Sequence, residues 1–189
     1  MAAGRGLKVT LGAAAVAAAA AVGLWALSGR GPVLAPDFAA PDLNGQAVSL
    51  ASLRGKVVVV NLWTTWCPPC RQEMPSMERL AAHFRGRDFQ LLAVSQDEDG
   101  AEKVADFARE LGLSFPVLLD PQRQIGERFD VWGYPETFVI DRNGYVVERV
   151  IGPREWDSPA SIAALEALIA AGETPATSSS RSPAPRAPS

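Results

Sequence analysis

The chain is poor in the side chains that cross-link small domains or bind metals. Its 189 residues include two cysteines and one histidine. Two cysteines cannot make the disulfide framework of a small secreted scaffold. No run of basic residues interrupts the central region. Residues 31–172 hold 13 basic and 20 acidic groups, net −7, while the whole chain is −3 because both ends are basic. An acidic region of this kind is a poor partner for nucleic acid. No internal repeat is visible. Apolar residues make up 48% and charged residues 21%. That is close to the globular average and excludes a disordered chain, a collagen-like chain and a coiled coil.

What is present divides the chain into four parts: residues 1–30, a linker 31–35, a domain 36–171 and a tail 172–189. Arg5 and Lys8 precede an uncharged, alanine-rich run of 19 residues, Val9 to Leu27. As a helix it spans about 28 Å, roughly one hydrocarbon core. A cleaved secretory signal has a shorter apolar region, about 7–15 residues. The preferred reading is therefore an uncleaved anchor with its basic end in the cytoplasm, and Ala26-Leu27-Ser28 is the cleavage site if the segment is a signal peptide. Either reading exports the domain. The tail is rich in proline, serine and alanine, has no apolar periodicity and is expected to stay disordered.

Within 36–171, Val57–Trp63 and Phe89–Val94 are continuous apolar runs, the pattern of strands buried on both faces. Residues 67–84 carry Met74, Met77, Leu80, Ala81 and Phe84 at helical spacing. Ala101–Leu111 reads as a helix and Val117–Leu119 as a short strand. Asn-Gly pairs at 44–45 and 143–144 mark hairpin turns, the second joining strands Thr137–Ile140 and Tyr145–Ile151. Ser158 and Pro159 start a last helix. Strands alternating with helices and ending in a hairpin plus a helix give an α/β sandwich around a mixed sheet.

The chemistry concentrates in Trp66-Cys67-Pro68-Pro69-Cys70, at a strand-to-helix junction. There Cys67 sits at a helix N-terminus, which favours a thiolate. Cys70 lies one turn inside, within bonding reach. Such a pair makes and breaks a disulfide: Cys67 attacks, and Cys70 resolves the mixed disulfide. A purely structural disulfide closing so short a loop would stabilise little. A zinc half-site or a copper carrier would have to recruit His83, about four turns along the same helix and out of reach. His83 itself reads as a helix-surface residue. Pro68 and Pro69 lack backbone N–H groups, so Cys70 N–H is the chief donor left for a Cys67 thiolate. The Cys67 pKa is then expected near its free value and the pair fairly reducing. Pro135, entering the strand Thr137–Ile140, is either an ordinary strand start or a cis-proline.

Four collinear stretches carry a resemblance covering about 36–152. They are Ala35–Phe38, Val60–Pro75 with its Trp-Cys-Pro-Pro-Cys, Phe115–Asp120, and Gly133–Asp141 with Gly-Tyr-Pro-Glu-Thr-Phe. The chain resembles the thioredoxin superfamily, in its membrane-anchored TlpA/ResA/DsbE-like branch. The resemblance implies a thioredoxin fold: a mixed central sheet flanked by helices, an N-terminal β-hairpin, and an inserted helix and strand at about 101–119. It implies a cis bond before Pro135, next to a redox disulfide Cys67–Cys70. It leaves the Tyr134 backbone free to pair with an extended substrate, with Trp66, Pro68 and Glu136 also on the substrate side. Glu136 is expected at the rim, its charge helping to select substrates. Pro75 matches the proline that kinks the active-site helix. Glu73 matches an acid beneath the dithiol, raised in pKa by burial and placed to accept the Cys70 proton. Asn61 stands where cytosolic thioredoxins carry a buried aspartate; an amide cannot take a proton, so that role passes to Glu73.

The function implied is an extracytoplasmic protein-disulfide reductase on the periplasmic face of the inner membrane, acting as a monomer without metal or cofactor. Its substrates would be haem-attachment cysteines of apocytochromes c or copper-site cysteines of oxidase assembly proteins. A membrane thiol transporter would supply electrons. Two alternatives stand beside it. A peroxiredoxin-like peroxidase is suggested by Thr64, three residues before Cys67, although Val60 occupies the proline position of that motif. A copper chaperone is suggested by the two thiols alone.

Overall fold

In a computed structural model, which describes residues 33–171, the chain opens on a two-residue strand, β1 (Val33–Leu34). A hairpin follows, β2 (Ala39–Pro41) and β3 (Ala47–Ser49), then a 3-10 turn at Ala51–Leu53. The alternating part comprises β4 (Val57–Trp63), α1 (Pro68–His83), β5 (Phe89–Ser95), α2 (Ala101–Glu110), β6 (Val117–Leu119) and α3 (Gln124–Arg128). The chain closes with β7 (Glu136–Ile140), β8 (Tyr145–Ile151) and α4 (Pro159–Ala171). The expected membrane anchor and tail lie outside the described residues. Among those described, no helix is long and apolar enough to cross a membrane.

The hydrophobic runs explain the centre of the sheet. All seven residues of β4 are buried, and β-branched valines suit a strand covered on both faces. The strand order is β1-β8-β7-β4-β5-β6. β4, β5 and β6 run parallel through the α1 and α2 crossovers, while β7, β8 and β1 add antiparallel pairings. The sheet is thus mixed, as the sequence pattern requires.

Alternation along β4 divides the core. Val57, Val59 and Trp63 pack against Met74, Met77 and Leu80 of α1 and Leu165 and Ile169 of α4. Val58, Val60 and Leu62 face the other way, onto Phe38, Leu50, Ile125 and Phe129. The Asn-Gly hairpin lies by the β6 edge, where Leu43 N donates to Val117 O at 3.2 Å and Asp42 bridges Leu118. Its turn is held by Asp42 Oδ1, which accepts from the N–H groups of Asn44 and Gln46 at 2.8 Å each.

Two features depart from the sequence reading. Val33 and Leu34, expected in a linker, pair with Val146 and Tyr145; two exposed apolar residues carry no periodic signal. α3 was not expected either. It is held by Asp120, whose carboxylate accepts from the N–H groups of Gln124 at 3.0 Å and Ile125 at 2.8 Å.

Leu80 is fully buried on the α1 face. Leu80→Ala is expected to lower the free energy of unfolding by about 2–5 kcal/mol, read from urea melts followed by circular dichroism.

Candidate active site

The segment between β4 and α1 is pinned before it reaches the cysteines. Asp97, 5% exposed, accepts from Thr65 N–H at 2.9 Å and from the Thr65 hydroxyl at 2.6 Å. The Ser95 hydroxyl donates to the same carboxylate at 2.9 Å. Cys67 then takes the N-cap of α1, with Pro68 and Pro69 opening the helix. Cys67 and Cys70 are joined as a disulfide, their Cα atoms 5.3 Å apart. Cys70 N–H donates to Cys67 Sγ at 3.3 Å, and Arg71 N–H goes to the Cys67 carbonyl instead. The two prolines have no N–H to offer, so the sulfur meets one backbone donor, as the sequence argument supposed. Cys67 is 5% exposed and Cys70 fully buried, which makes Cys67 the sulfur open to attack or to act.

Across β4 lies the loop that leads into β7. The Tyr134–Pro135 bond is cis. The Tyr134 ring meets Trp66 edge to face at 6.0 Å. Among the described residues the Tyr134 backbone makes no hydrogen bond, while Pro135 O accepts from Gly152 N–H at 2.9 Å. Trp66 is 60% and Trp132 87% exposed, and Pro68 is exposed beside the disulfide. A cleft of about 310 Å³, lined by Gln96, Arg123, Trp132 and Tyr134 among others, adjoins this surface. Burial pushes the Tyr134 phenol above its ordinary range.

Glu73 lies on α1, three residues after Cys70 and so on the same helix face. It is 2% exposed. Its Oε1 accepts from Asn61 Nδ2 at 2.9 Å. Its Oε2 accepts from Trp156 Nε1 at 3.0 Å and from Arg154 N–H at 3.2 Å. Burial raises the carboxyl above its ordinary value, and these three hydrogen bonds pull it partly back. Asn61, fully buried, spends its second amide hydrogen on Thr137 Oγ1 at 2.9 Å. Asn61 is thus one of the three donors that support the buried acid.

Glu136 is not at the rim. It is 1% exposed, and Arg149 Nε binds its carboxylate. Arg149 also donates to Asp130 O at 2.6 Å and stacks on Phe138. The strand period explains the difference: Glu136 faces the core on the side of the sheet away from Glu73, and the partly exposed guanidinium of Arg149 pairs with it. Its charge is therefore not displayed to a partner; it straps the 130–134 loop to the sheet. His83 ends α1, exposed and 3.5 Å from Glu166, far from the sulfurs. Pro75 lies within α1, and the apolar face continues beyond it to Met77 and Leu80.

Sequence reasoning missed Asp97, Arg149 and Trp156. The first two are ordinary charged residues whose partners are distant in the chain. A tryptophan in an irregular Gly-Pro-Arg-Glu-Trp segment was the one legible signal, since so large a ring there must be packed against something.

The chain is similar to known proteins over this same region. The profile of the AhpC/TSA family matches residues 33–149. The thiol-disulfide oxidoreductase ResA of Bacillus subtilis is 40% identical over 120 residues, 62% of this chain and 65% of that protein. The match thus spans just under two thirds of that relative's length. ResA of Geobacillus kaustophilus is 41% identical over 118 residues, 62% of this chain and 67% of its own. The crystal structure of a thiol:disulfide interchange protein of the thioredoxin family from Chlorobium tepidum superposes with a TM-score of 0.65 at 29% identity, covering 74% of this chain and 98% of that one.

A carboxyl raised in the folded state binds its proton more tightly there than in the unfolded chain. Its contribution to stability is therefore greatest in acid and declines as pH rises from about 4.5, the ordinary value, through the folded midpoint. The unfolding free energy of the wild type, relative to that of Glu73→Gln, is expected to fall across that window and level off above it, in urea titrations at successive pH values.

Proposed function

The chain belongs to the AhpC/TSA family and carries the thioredoxin-fold dithiol of a thiol–disulfide oxidoreductase, and from that premise we propose that it reduces specific protein disulfides on the extracytoplasmic side of a membrane. The observation that carries the reading is the Cys67–Cys70 disulfide at the start of α1, beside a cis-proline loop whose Tyr134 backbone is unpaired among the described residues. A substrate segment would lie extended against Tyr134 and Pro135, between Trp66, Pro68 and the cleft.

In the reduced protein the Cys67 thiolate attacks one sulfur of the substrate disulfide. A bond forms between Cys67 and that sulfur, and the other substrate sulfur leaves as a thiolate and takes a proton. Cys70 then gives its proton to Glu73 and attacks Cys67 Sγ. The Cys67–Cys70 bond forms, the mixed disulfide breaks, and the second substrate thiolate departs and is protonated. Two electrons have passed from the dithiol to the substrate. A thiol donor on the same membrane face restores the dithiol by the reverse exchange.

The single donor at Cys67 Sγ supports the reducing direction. A thiolate with little stabilisation makes the disulfide the favoured form, so the dithiol gives up its electrons readily. Apolar residues 9–27 behind a basic start support a membrane anchor, and the resemblance of Gly133–Phe138 to cytochrome c maturation proteins supports apocytochrome haem-site cysteines as the substrate class.

Two measurements test this. Equilibration with dithiothreitol buffers is expected to place the pair near the thioredoxin potential, about −270 mV; a value near about −120 mV, that of a strong oxidant, overturns the assignment as reductant. The full chain is expected to reduce insulin disulfides, Cys67→Ser to lose this activity, and Cys70→Ser to accumulate a mixed disulfide with substrate. A Cys67→Ser variant that retains the activity would remove Cys67 as nucleophile.

A further inference from the structure

Segment 152–156 lies far along the chain from the dithiol, yet it supplies two of the three donors to the carboxylate beneath it. Arg154 N–H and Trp156 Nε1 both reach Glu73 Oε2. The segment is also fastened to the next turn of α1. Trp156 N–H donates to Ser76 Oγ at 3.0 Å, and the Ser76 hydroxyl donates to the Glu73 carbonyl at 2.8 Å. Trp156 is 1% exposed and belongs to the same core as Cys70 and Met74. Its ring is covered by the Arg154 guanidinium, 5.0 Å from the centroid.

An indole N–H only donates. It bonds an ionised carboxylate on either oxygen, but it offers nothing to the hydroxyl hydrogen of the protonated acid. A donor fixed by packing on one carboxylate oxygen therefore favours the charged state. We propose that Trp156 is a positioning residue that holds Glu73 ionised and oriented beneath the dithiol. The inference deepens the proposed function and rests on it for what Glu73 then does with the Cys70 proton.

The neighbouring groups leave this task to Trp156 and its companions. On α1 the titratable neighbour is Cys70, one turn earlier. From β4 and β7, among the described residues, come the neutral Asn61 and Thr137. The guanidinium of Arg154 is drawn off to Glu148 of β8 at 2.6 Å. Glu155 and Asp157 are bound at the surface by Arg79. Against the larger effect of burial, what favours the charged form of Glu73 is the hydrogen bonds from Trp156, Arg154 and Asn61 rather than a facing cation.

The test uses the full chain in detergent micelles, with Glu73 carbon-labelled for magnetic resonance. In the wild type the Trp156 indole proton is expected to shift with the same midpoint as the Glu73 carboxyl carbon. An indole resonance that ignores that titration overturns the proposal, and this arm needs no substitution. In Trp156→Phe, which keeps an aromatic ring and removes the N–H, the Glu73 midpoint is expected to rise by roughly one to two pH units. An unchanged midpoint in a folded Phe variant reduces Trp156 to packing and overturns the proposal.

A kinetic arm separates the two layers of the argument. Glutathione is loaded on Cys67, and its release by Cys70 is followed by stopped flow across pH. The rising limb is expected to move up with the Glu73 midpoint in Trp156→Phe, and to be insensitive to Trp156→Phe in a Glu73→Gln background. A shifted Glu73 midpoint with an unmoved limb would uphold the hold of Trp156 on the carboxylate while removing Glu73 as the acceptor for Cys70.

Discussion

A carboxyl group taken out of water must be hydrogen-bonded or neutral, and Glu73 meets that demand through Asn61 of β4 and through Arg154 and Trp156 of the 152–156 segment. The requirement reaches well beyond one side chain. It ties β4 to α1 through Asn61, β4 to β7 through Asn61 and Thr137, and the 152–156 segment to α1. The same bonds that make the charge tolerable hold together the walls around Cys70. Burial and hydrogen bonding act on Glu73 in opposite directions. That balance is what the proposed role of Glu73 as acceptor of the Cys70 proton would draw on.

The sulfur above it is governed by a shortage. A helix start ordinarily offers several free N–H groups, and thiolates there are strongly stabilised. Pro68 and Pro69 occupy the first two helical positions. They keep the helix geometry, since their fixed φ suits it, while withdrawing the donors. Cys67 retains the Cys70 N–H alone. One local choice thus keeps the helix start at the cysteine pair and leaves Cys67 Sγ with one backbone donor among the described residues. The Asp97–Thr65–Ser95 cluster keeps the preceding segment in place, so the geometry does not depend on the missing donors.

The sequence made legible those parts that rest on local pattern. β4 and β5 announce themselves as apolar runs, α1 and α4 by their spacing and start residues, and the hairpins by Asn-Gly pairs. The dithiol was legible because its spacing carries its own chemistry. β1 and α3 were not legible: β1 is two residues held by pairing with β8, and α3 is five residues held by Asp120. Glu136 shows the limit most clearly. It was expected at the rim, because its partner Arg149 reaches it only once β8 folds back along β7, and no local pattern reports that cation.

Glu136 and Thr137 are adjacent, and their side chains leave β7 on opposite faces. Thr137 enters the network of Asn61 and Glu73 on the α1 face. Glu136, through Arg149, fixes Asp130 O and with it the loop carrying Trp132 and Tyr134. The strand that begins at the cis-proline therefore serves two ends at once. One face holds the hydrogen-bond network of the proposed proton acceptor, and the other holds the loop that a substrate would meet. Since Arg149 binds the Glu136 carboxylate, a substrate bound as the proposed function supposes would meet the rings of Trp66, Tyr134 and Trp132 and the open backbone at Tyr134 rather than a free charge at Glu136.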